Sequence, residues 1–569
     1  MTYDLLIRGG TVVDGSGLPR FRADVGIRNG RIIAIGRLSG AAAQVLDADG
    51  HIVAPGFIDA HTHMDAQLFW DPLGTCSSWH GVTTAVMGNC GFSLAPCNER
   101  DADLVLRNLQ RAEDISPQAM KAGIKWSWET YAEYLATVDA IPKGINYAAY
   151  IGHSSLRTYV MGERAFSERA NSEDLANMKR ELEHAIRAGA IGFSTSRTRN
   201  HLTPDGRPVA SVLASWDEVV ELVKCMSAAG GGMFELAHED QGRSLDRHRE
   251  YLERLKRLTI ETGVPIAYGL NANSAVPELW RLYLRCAEEA SREGGRVHVQ
   301  IMARETGSLM SFATQLPFDD LPDWKAFRQL PLAEQGIALR DAETRQRLLR
   351  AAADPKSSGR AVGVELREAN FEDIYPLNET GGMLESISVI ARKRNRSPIE
   401  VFLDLALERG LETFFLQVRN NRNPEDVLEM LRHPNTVVTF TDAGAHVTQI
   451  MEASLHTHVL SHWVRERGAL GLEEAVRLMT FVPASCWGFR DRGLLREGSV
   501  ADIVVFDPQA VGPLAIELVH DLPAGAPRLI QKARGYLATI VYGQVLLREG
   551  RHSGRYPGRL IRRERQPIA

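Results

Sequence analysis

Short apolar runs that end in polar residues alternate with helical stretches along the middle of the chain. The first run leads into His61 and His63, and seven more lie at 82–90, 146–153, 190–196, 232–238, 264–270, 296–301 and 436–442. Strands that alternate with helices form parallel sheets, and eight such repeats are typical of a closed barrel. The pattern therefore predicts an α/β fold built on a (β/α)8 TIM barrel.

The two ends of the chain differ from the middle in having short strand patterns and tight turns. These patterns lie at 5–8, 11–14, 25–27 and 31–35 near the start, and at 501–506, 538–542 and 544–547 near the end. Asn29-Gly30 is a strong hairpin signal. We predict that 1–54 and 485–569 join into one small β-sandwich domain. The alternative is two separate caps, each of which would have little core.

The barrel is then expected to occupy 55–484. Inside it, the stretch from about 310 to 434 is too long for a single crossover between neighbouring strands. Several helical segments lie in this stretch. We therefore predict a helical insertion that covers the barrel mouth as a lid or subdomain.

Composition excludes several classes of partner. The formal net charge is -5, and neither a basic patch for nucleic acid nor a polybasic stretch for a membrane surface is found. Six cysteines in 569 residues do not make a disulfide framework, which favours a reducing compartment. The opening residues lack the features of a secretory signal, and no apolar run is long enough to span a bilayer. We expect a cytoplasmic protein.

His61 and His63 follow the first apolar run at a spacing of two. Residues i and i+2 of a strand point to the same side, so both imidazoles can reach one place at the strand end. Barrels present divalent metals to substrate in this way. Asp442 ends the eighth run and precedes a turn, although capping of the next helix is another reading. The early pair and the late carboxylate together are more specific than either one.

At this point the chain resembles a known family. The motifs are VAPGFIDAHTH at 53–63, GVTTAVMGNCGFS at 81–93, GAIGFSTSRT at 189–198, TDAGAH at 441–446 and EGSVADIVVFD at 497–507. In this order they resemble the amidohydrolase superfamily, and within it the N-acyl-D-amino-acid deacylase (D-aminoacylase) branch. The resemblance covers nearly the whole chain.

The resemblance implies roles for matching residues. His61 and His63 would be metal ligands, and Cys90 would be a thiolate ligand where many superfamily members use a carbamylated lysine. The fourth-strand segment 189–198 has no lysine, which agrees with that substitution. A small buried residue is the other reading of Cys90. Asp442 would be the general base, and the cofactor would be one or two divalent ions, most simply zinc.

The chain departs from the branch at strands five and six, where D-aminoacylases carry single histidines. The fifth run reads MFELAHED, with Ala237 at the matching position, Glu235 two residues before it and His238 one after. Glu235 shares the face of Ala237, whereas His238 needs a bulge to turn inward. The sixth run offers no histidine. Either His61, His63 and Asp442 form a mononuclear site with Cys90 or a fifth-strand ligand, or the metal has been lost.

Four further residues are candidates for substrate contacts. His153 ends the third run and matches a family segment, so it is a candidate donor to the substrate carbonyl; capping or burial is the other reading. Arg157, Arg197 and Arg304 follow strand ends, where one of them would pair with a substrate carboxylate. Structural ion pairs are the alternative for each.

The resemblance implies a metal-dependent hydrolase that cleaves an amide C–N bond, most simply in an N-acyl amino acid. A second reading keeps the fold and changes the substrate to a cyclic amide, a dipeptide or another small amide. A third is a metal-free relative that acts as an assembly or binding protein. The expected partner is a small-molecule amide, and by analogy we expect a homo-oligomer.

Overall fold

The computed structural model describes residues 2–273, 276–353, 364 and 368–563. The chain begins with antiparallel and parallel strands close in sequence. They are β1 (Thr2–Val12), β2 (Phe21–Arg28), β3 (Arg31–Gly36), β4 (Ala41–Asp47) and β5 (Ile52–Pro55).

Parallel strands and helices then alternate. The elements are β6 (Phe57–Asp59), β7 (Val82–Met87), α1 (Ala102–Ala112), α2 (Pro117–Gly123), α3 (Tyr131–Ala140), β8 (Asn146–Ala149), β9 (Ile151–Gly152), α4 (His153–Met161), α5 (Ser172–Ala188), β10 (Gly192–Ser196), α6 (Trp216–Ala228), β11 (Met233–Ala237), α7 (Leu245–Thr262), β12 (Ile266–Leu270), α8 (Pro277–Arg292) and β13 (Val297–Ile301). Each predicted run between 82 and 301 contains one of these strands, except the run at 146–153, which contains both β8 and β9.

An insertion follows, with β14 (Thr306–Met310), α9 (Pro322–Arg328), α10 (Leu332–Ala338), α11 (Ala342–Ala353), β15 (Ile374–Pro376), α12 (Ile387–Arg394), α13 (Pro398–Arg409), β16 (Phe415–Asn420) and α14 (Pro424–Leu431). The chain ends with β17 (Thr436–Val438), α15 (Leu455–His458), α16 (Leu472–Met479), α17 (Phe481–Trp487), β18 (Ile503–Phe506), β19 (Gly512–Val519), β20 (Arg528–Arg534), β21 (Tyr536–Val541), β22 (Gln544–Arg548) and β23 (Arg551–His552).

Strands from the two ends of the chain lie in one sheet. Its order among the described residues is β23-β22-β21-β18-β5-β1-β2-β3, with β4 on the other side of part of β1. The joint is the antiparallel pairing of β18 with β5, in which Val504 is opposite Ala54. Buried Leu5, Val25 and Ile540 contribute to the core of this sheet. The two half-sheets therefore do not form separate caps.

One of the predicted terminal turns is absent. The sequence suggests strands at 5–8 and 11–14 separated by Gly9-Gly10, but β1 runs unbroken through this point. Its pairing with β2 shifts register between Ile7 and Gly10. Gly9 has a φ of +70°, so the glycine accommodates a bulge within the strand and does not reverse the chain.

The middle of the chain is α/β with parallel strands. Among the described residues, β6-β7-β8 form one sheet and β17-β13-β12-β11-β10-β9 form another. A single residue, Tyr150, separates β8 from β9. The segment that follows β6 lies beside the segment that follows β17, because Thr62 forms a parallel bridge to Ala443. The carboxyl ends of the first and last parallel strands are therefore neighbours.

The insertion has a hydrophobic core of its own, with Phe312, Trp324, Phe402 and Phe415 buried in it. Its strands β14, β16 and β15 form an antiparallel sheet. Asn421 fastens the insertion to the parallel strands, because its Oδ1 accepts a hydrogen bond from the Ala272 amide over 2.7 Å. Among the described residues, no helix combines the length and apolar character that crossing a bilayer requires.

Candidate metal centre

His61 and His63 lie just beyond the carboxyl end of β6, and each side chain is only 2% exposed. Thr62 between them donates its hydroxyl to the carbonyl of Val86 over 2.8 Å, which turns it to the opposite side. The two imidazole centroids are 5.5 Å apart. His61 Nδ1 lies 3.0 Å from the Oε1 of Gln300, and Gln300 in turn donates to the Ala60 carbonyl. These contacts fix the orientation of the first imidazole.

Asp442 brings a carboxylate to both histidines. Its Oδ1 lies 3.2 Å from His61 Nε2 and 3.4 Å from His63 Nε2. The Asp442 amide donates to the His61 carbonyl over 3.1 Å, and the backbone has a φ of +54°. A side chain on Gly444 would lie 2.6 Å from the His63 carbonyl oxygen, so this turn requires glycine.

Asp442 is also the most accessible of these groups, with a side chain that is 27% exposed. Burial by itself would raise the pKa of its carboxyl group. Hydrogen bonds from His61 and His63 outweigh that effect and lower the pKa well below its usual value. The carboxylate is therefore ionised near neutral pH and partly exposed to solvent.

Cys90 lies on a tight turn after β7 and has a φ of +53°. The turn is held by Asn89, whose side-chain amide donates to the Thr62 carbonyl over 2.9 Å, and by Asp65, which accepts from the Gly88 amide over 2.9 Å. As a result Cys90 Sγ lies 3.5 Å from His61 Nε2. In the part of the chain that the structure describes, ligand atoms of His61, His63 and Cys90 all lie within 4.8 Å of one another.

Glu235 points inward from β11, as the alternation of the strand predicts. Its Oε2 accepts a hydrogen bond from the Cys90 amide over 2.7 Å, and its Oε1 lies 3.8 Å from His61 Nδ1. The side chain is fully buried, and burial raises the pKa of its carboxyl group to about 7. Burial also raises the pKa of the Cys90 thiol well above its usual value, and the nearby Glu235 charge adds to this.

His238 is not brought to this cluster. Strand β11 pairs with β10 in regular register from Met233 to Ala237, so the bulge that would turn His238 inward is absent. Its ring packs instead against Tyr268 and Tyr283, with centroids 4.6 and 4.7 Å away. The residue therefore belongs to an aromatic layer on the other face of the strand, and its assignment as a metal ligand does not fit this geometry.

His153 and Arg157 form a buried network with Glu218. His153 Nε2 lies 2.9 Å from Glu218 Oε1, and its Nδ1 lies 2.9 Å from the Thr195 hydroxyl. Arg157 donates to Glu218 Oε2 over 2.6 Å and has no exposed surface. Both side chains hold α4 against α6 and β10, and neither has exposed surface in this structure.

Arg197 and Arg304 also have protein partners. Arg197 is 9% exposed and donates to the Ala214 carbonyl over 2.6 Å. Arg304 lies three residues beyond β13 and donates to the Ser454 hydroxyl over 2.8 Å. The Arg304 side chain is half-buried. Burial of the neighbouring Glu452 raises the pKa of that carboxyl group to about 7, although the positive charge of Arg304 partly offsets the rise.

Two residues at the cluster lie outside the set that strand-end reasoning selects. Gln300 is a buried polar residue in the seventh apolar run, which is a signal that the sequence does contain. Glu113 gives no comparable signal, because it follows helix α1 and not a strand. Its Oε2 lies 3.6 Å from His63 Nε2, and burial raises the pKa of its carboxyl group to about 7.

The donor set fits a divalent cation. Two imidazoles, one thiol and carboxylates converge, and these groups are the ligands that proteins use for zinc and similar metals. The buried Nδ1 of His63 and Oε1 of Glu113 have no hydrogen-bond partner among the described residues. Buried carboxylates of like charge are costly without a compensating cation.

Comparisons of the sequence with known proteins assign the chain to a family. The sequence profile of the amidohydrolase family matches residues 44–547. The chain belongs to the amidohydrolase family. This amidohydrolase is 30% identical to the D-aminoacylase of Alcaligenes xylosoxydans xylosoxydans, over 99% of this chain and 98% of that protein. It is 30% identical to the N-acyl-D-glutamate deacylase of the same organism, over 99% and 97% of the two chains.

A solved structure shows the same fold. It comes from work on the binuclear metal centre of D-aminoacylase, has a TM-score of 0.66 and 25% identity, and covers 99% of this chain and 100% of that one. The full-length similarity places this amidohydrolase in the D-aminoacylase-like branch.

At the end of β12, Leu270 is buried and Asn271 accepts a hydrogen bond from Asn421, so this strand end supplies no imidazole.

Proposed function

We propose that this amidohydrolase is a metal-dependent hydrolase that cleaves the amide C–N bond of an N-acyl-D-amino acid. The observation that carries the proposal is the convergence of His61, His63, Cys90 and Asp442 at one strand edge. Support also comes from full-length relatives, which are a D-aminoacylase and an N-acyl-D-glutamate deacylase.

The proposed architecture places this site at a barrel mouth. We infer that the parallel strands from β6 to β13, together with β17, form one closed (β/α)8 barrel within 55–484, in which β8 and β9 count as a single strand interrupted at Tyr150. The Thr62–Ala443 bridge supports closure between the first and last strands. The sheet joined by β5 and β18 would belong to a composite β-sandwich domain of 1–54 and 485–569, and the insertion of about 310–434 would cover the mouth.

His61, His63, Cys90, Glu235 and Asp442 would hold one or two divalent cations. A bound divalent ion, zinc by the chemistry of the donors, would polarise the amide carbonyl and make water more acidic. Gln300 keeps the His61 ring in place through Nδ1. The amide of Cys90 and the carboxylate of Glu235 hold the thiol beside His61.

Asp442 would act as the general base and then the general acid. Its ionised carboxylate takes a proton from the attacking water as the new C–O bond forms at the amide carbon. It then delivers that proton to the leaving nitrogen as the C–N bond breaks, so the carboxylate is regenerated. The products are a carboxylate and a free amino acid. Its partial exposure leaves room for substrate beside it.

A substrate carboxylate requires a cationic partner, and Arg304 suits this role best of the three arginines. Arg157 is fully buried against Glu218, and Arg197 is almost fully buried. Arg304 is half-buried and donates to a neutral hydroxyl, which a carboxylate can replace.

We also propose a cytoplasmic location, which the six free thiols support, and a homo-oligomeric state that sedimentation can measure.

A substrate panel tests the proposal. Zinc-loaded enzyme is incubated with N-acyl-D-amino acids, their L-enantiomers, hydantoins and dipeptides, and release of amine or ring opening is followed. Turnover of the N-acyl-D-amino acids is expected. Turnover of cyclic amides or dipeptides alone would assign the site to another small amide. Absence of all turnover, with no zinc, manganese, iron or cobalt in the purified protein, would favour a non-catalytic binding protein.

A further inference from the structure

Glu113 is a buried carboxylate at the metal centre that the strand-end motifs do not include. It lies at the end of α1, is 2% exposed, and places its Oε2 3.6 Å from His63 Nε2. Its other oxygen, Oε1, is buried and has no hydrogen-bond partner among the described residues. An ionised carboxylate in such a place is costly unless a cation lies beside it.

The turn that carries Glu113 is fastened to the segment that follows Asp442. The Glu113 carbonyl accepts a hydrogen bond from the His446 amide over 2.6 Å. Next along the turn, the Asp114 carboxylate accepts from the Gln449 side chain over 2.8 Å. Two neighbouring residues are thus tied to the loop after β17. The position of the Glu113 carboxylate is therefore set by the same segment that positions Asp442.

The cluster has two chemically different sides. Asp442 Oδ1 lies between the two imidazoles. On the His61 side lie the thiol of Cys90, 3.5 Å from His61 Nε2, and the carboxylate of Glu235. On the His63 side lies Glu113. The His61 side therefore offers sulfur, nitrogen and oxygen, whereas on the His63 side two carboxylates lie within 3.6 Å of Nε2.

We propose that Glu113 is a carboxylate ligand of a cation held on the His63 side, together with His63 and Asp442. The assignment rests on the proposed metal dependence and adds a ligand from a helix end. The set of one imidazole and two carboxylates suits zinc, manganese, iron(II) or cobalt(II). The thiol-containing side is the more selective for zinc or cobalt.

Cobalt(II) titration of metal-depleted protein tests the assignment. Binding is followed by calorimetry and by the thiolate-to-cobalt charge-transfer absorption, with bound cobalt measured by elemental analysis. Wild-type protein is compared with Glu113→Gln, which keeps the size of the side chain, and with Cys90→Ser. Asp114→Asn is the matched control on the same turn, because it also removes one carboxylate charge while its amide oxygen can still accept the hydrogen bond from Gln449.

Two equivalents of cobalt are expected for wild-type protein and for Asp114→Asn. Glu113→Gln should weaken one equivalent by at least the roughly 10- to 100-fold that loss of an outer-shell partner typically costs. It should keep the charge-transfer band, which Cys90→Ser should lose. Unchanged affinity of Glu113→Gln for every equivalent would overturn the assignment. No cobalt binding by wild-type protein would instead overturn the proposed metal dependence.

A second measurement decides the matter if Glu113→Gln does not fold. Crystals of zinc-loaded wild-type protein give an anomalous difference map at the zinc edge. A peak within about 2.0–2.2 Å of a Glu113 oxygen is the expected result, since that is the usual length of a zinc–carboxylate bond. A site whose peaks all lie beyond bonding distance of Glu113 would exclude it as a ligand.

Discussion

The carboxylate of Glu235 accepts a hydrogen bond from the backbone amide of Cys90 over 2.7 Å. The contact joins strand β11 to the turn after β7, across a gap of 145 residues in sequence. This hydrogen bond gives Glu235 a structural role in addition to its proposed role as a metal ligand. The two roles can be separated by substitution.

Glu235→Gln should keep the hydrogen bond to Cys90 and lose the negative charge, whereas Glu235→Ala should lose both. An unpaired buried amide costs about 1–3 kcal/mol, so only the alanine variant should show a clear fall in the urea midpoint. Both variants should bind zinc more weakly than wild-type protein in a chelator competition. Equal stability of the two variants would show that the hydrogen bond does not hold the turn.

Asp442→Asn should reduce kcat/KM by about 10²- to 10⁴-fold, the usual contribution of a general acid–base group. Asparagine tolerates the φ of +54° at this position, so circular dichroism and the thermal midpoint should change little. Asp114→Asn, also at positive φ, is the control and should retain activity. An Asp442→Asn variant that turns over at the wild-type rate would rule out Asp442 as the base.

Zinc affinity should rise with pH between pH 6 and pH 9. Burial favours neutral His63, but the charges of Glu113 and Asp442 outweigh it and raise its pKa to about 9. Burial raises the pKa of the Cys90 thiol well above its usual value. Zinc binds the deprotonated forms, so it must displace protons that are held more firmly at low pH.

Zinc Kd values measured at several pH values in this range check the expectation. The Cys90→Ser variant should show a shallower dependence, because it has no thiol proton to release. A flat profile for wild-type protein would mean that neither His63 nor Cys90 loses a proton on binding.

Glu218→Gln should destabilise the fold and leave zinc binding unchanged. It leaves the fully buried Arg157 without its carboxylate partner, and breaking a buried ion pair costs about 3–5 kcal/mol. Burial would raise the pKa of Glu218, but hydrogen bonds and charges from His153 and Arg157 lower it to about 2. The pair therefore stabilises the fold above the unfolded-state pKa of 4.5, and this contribution is lost as pH falls toward 2.

Urea midpoints at pH 7 and pH 3 measure this difference. The gap between wild-type protein and Glu218→Gln should narrow at the lower pH. A second comparison, the double variant Glu218→Leu with Arg157→Met, should recover part of the lost stability. If Glu218→Gln instead lost activity at unchanged stability, His153 and Arg157 would have a direct role in substrate binding.

Strand periodicity and strand ends are local properties, and the residues that depend on them were predictable from the sequence. His61, His63 and Asp442 follow directly from the ends of the first and last runs. The inward direction of Glu235 follows from alternation along β11, and the regular pairing with β10 confirms that direction. The joining of the two chain ends into one sheet also follows, because two separate caps would each have little core.

Other features depend on packing between distant elements. His153 stands at a strand end as predicted, yet it is the first residue of α4, and its ring meets Glu218 from a helix 65 residues further on. Glu113 reaches His63 from a helix end because its turn is tied to the loop after β17. Neither contact has a periodic signal, so sequence patterns alone could not locate them.

The central claim is that His61, His63 and Asp442 hold a catalytic cation. Zinc-edge anomalous diffraction from zinc-loaded crystals tests it most directly. The predicted result is a peak within about 2.0–2.2 Å of an imidazole nitrogen of His61 or His63 and of an Asp442 oxygen. Absence of any peak among these residues, in crystals whose protein contains stoichiometric zinc, would contradict it.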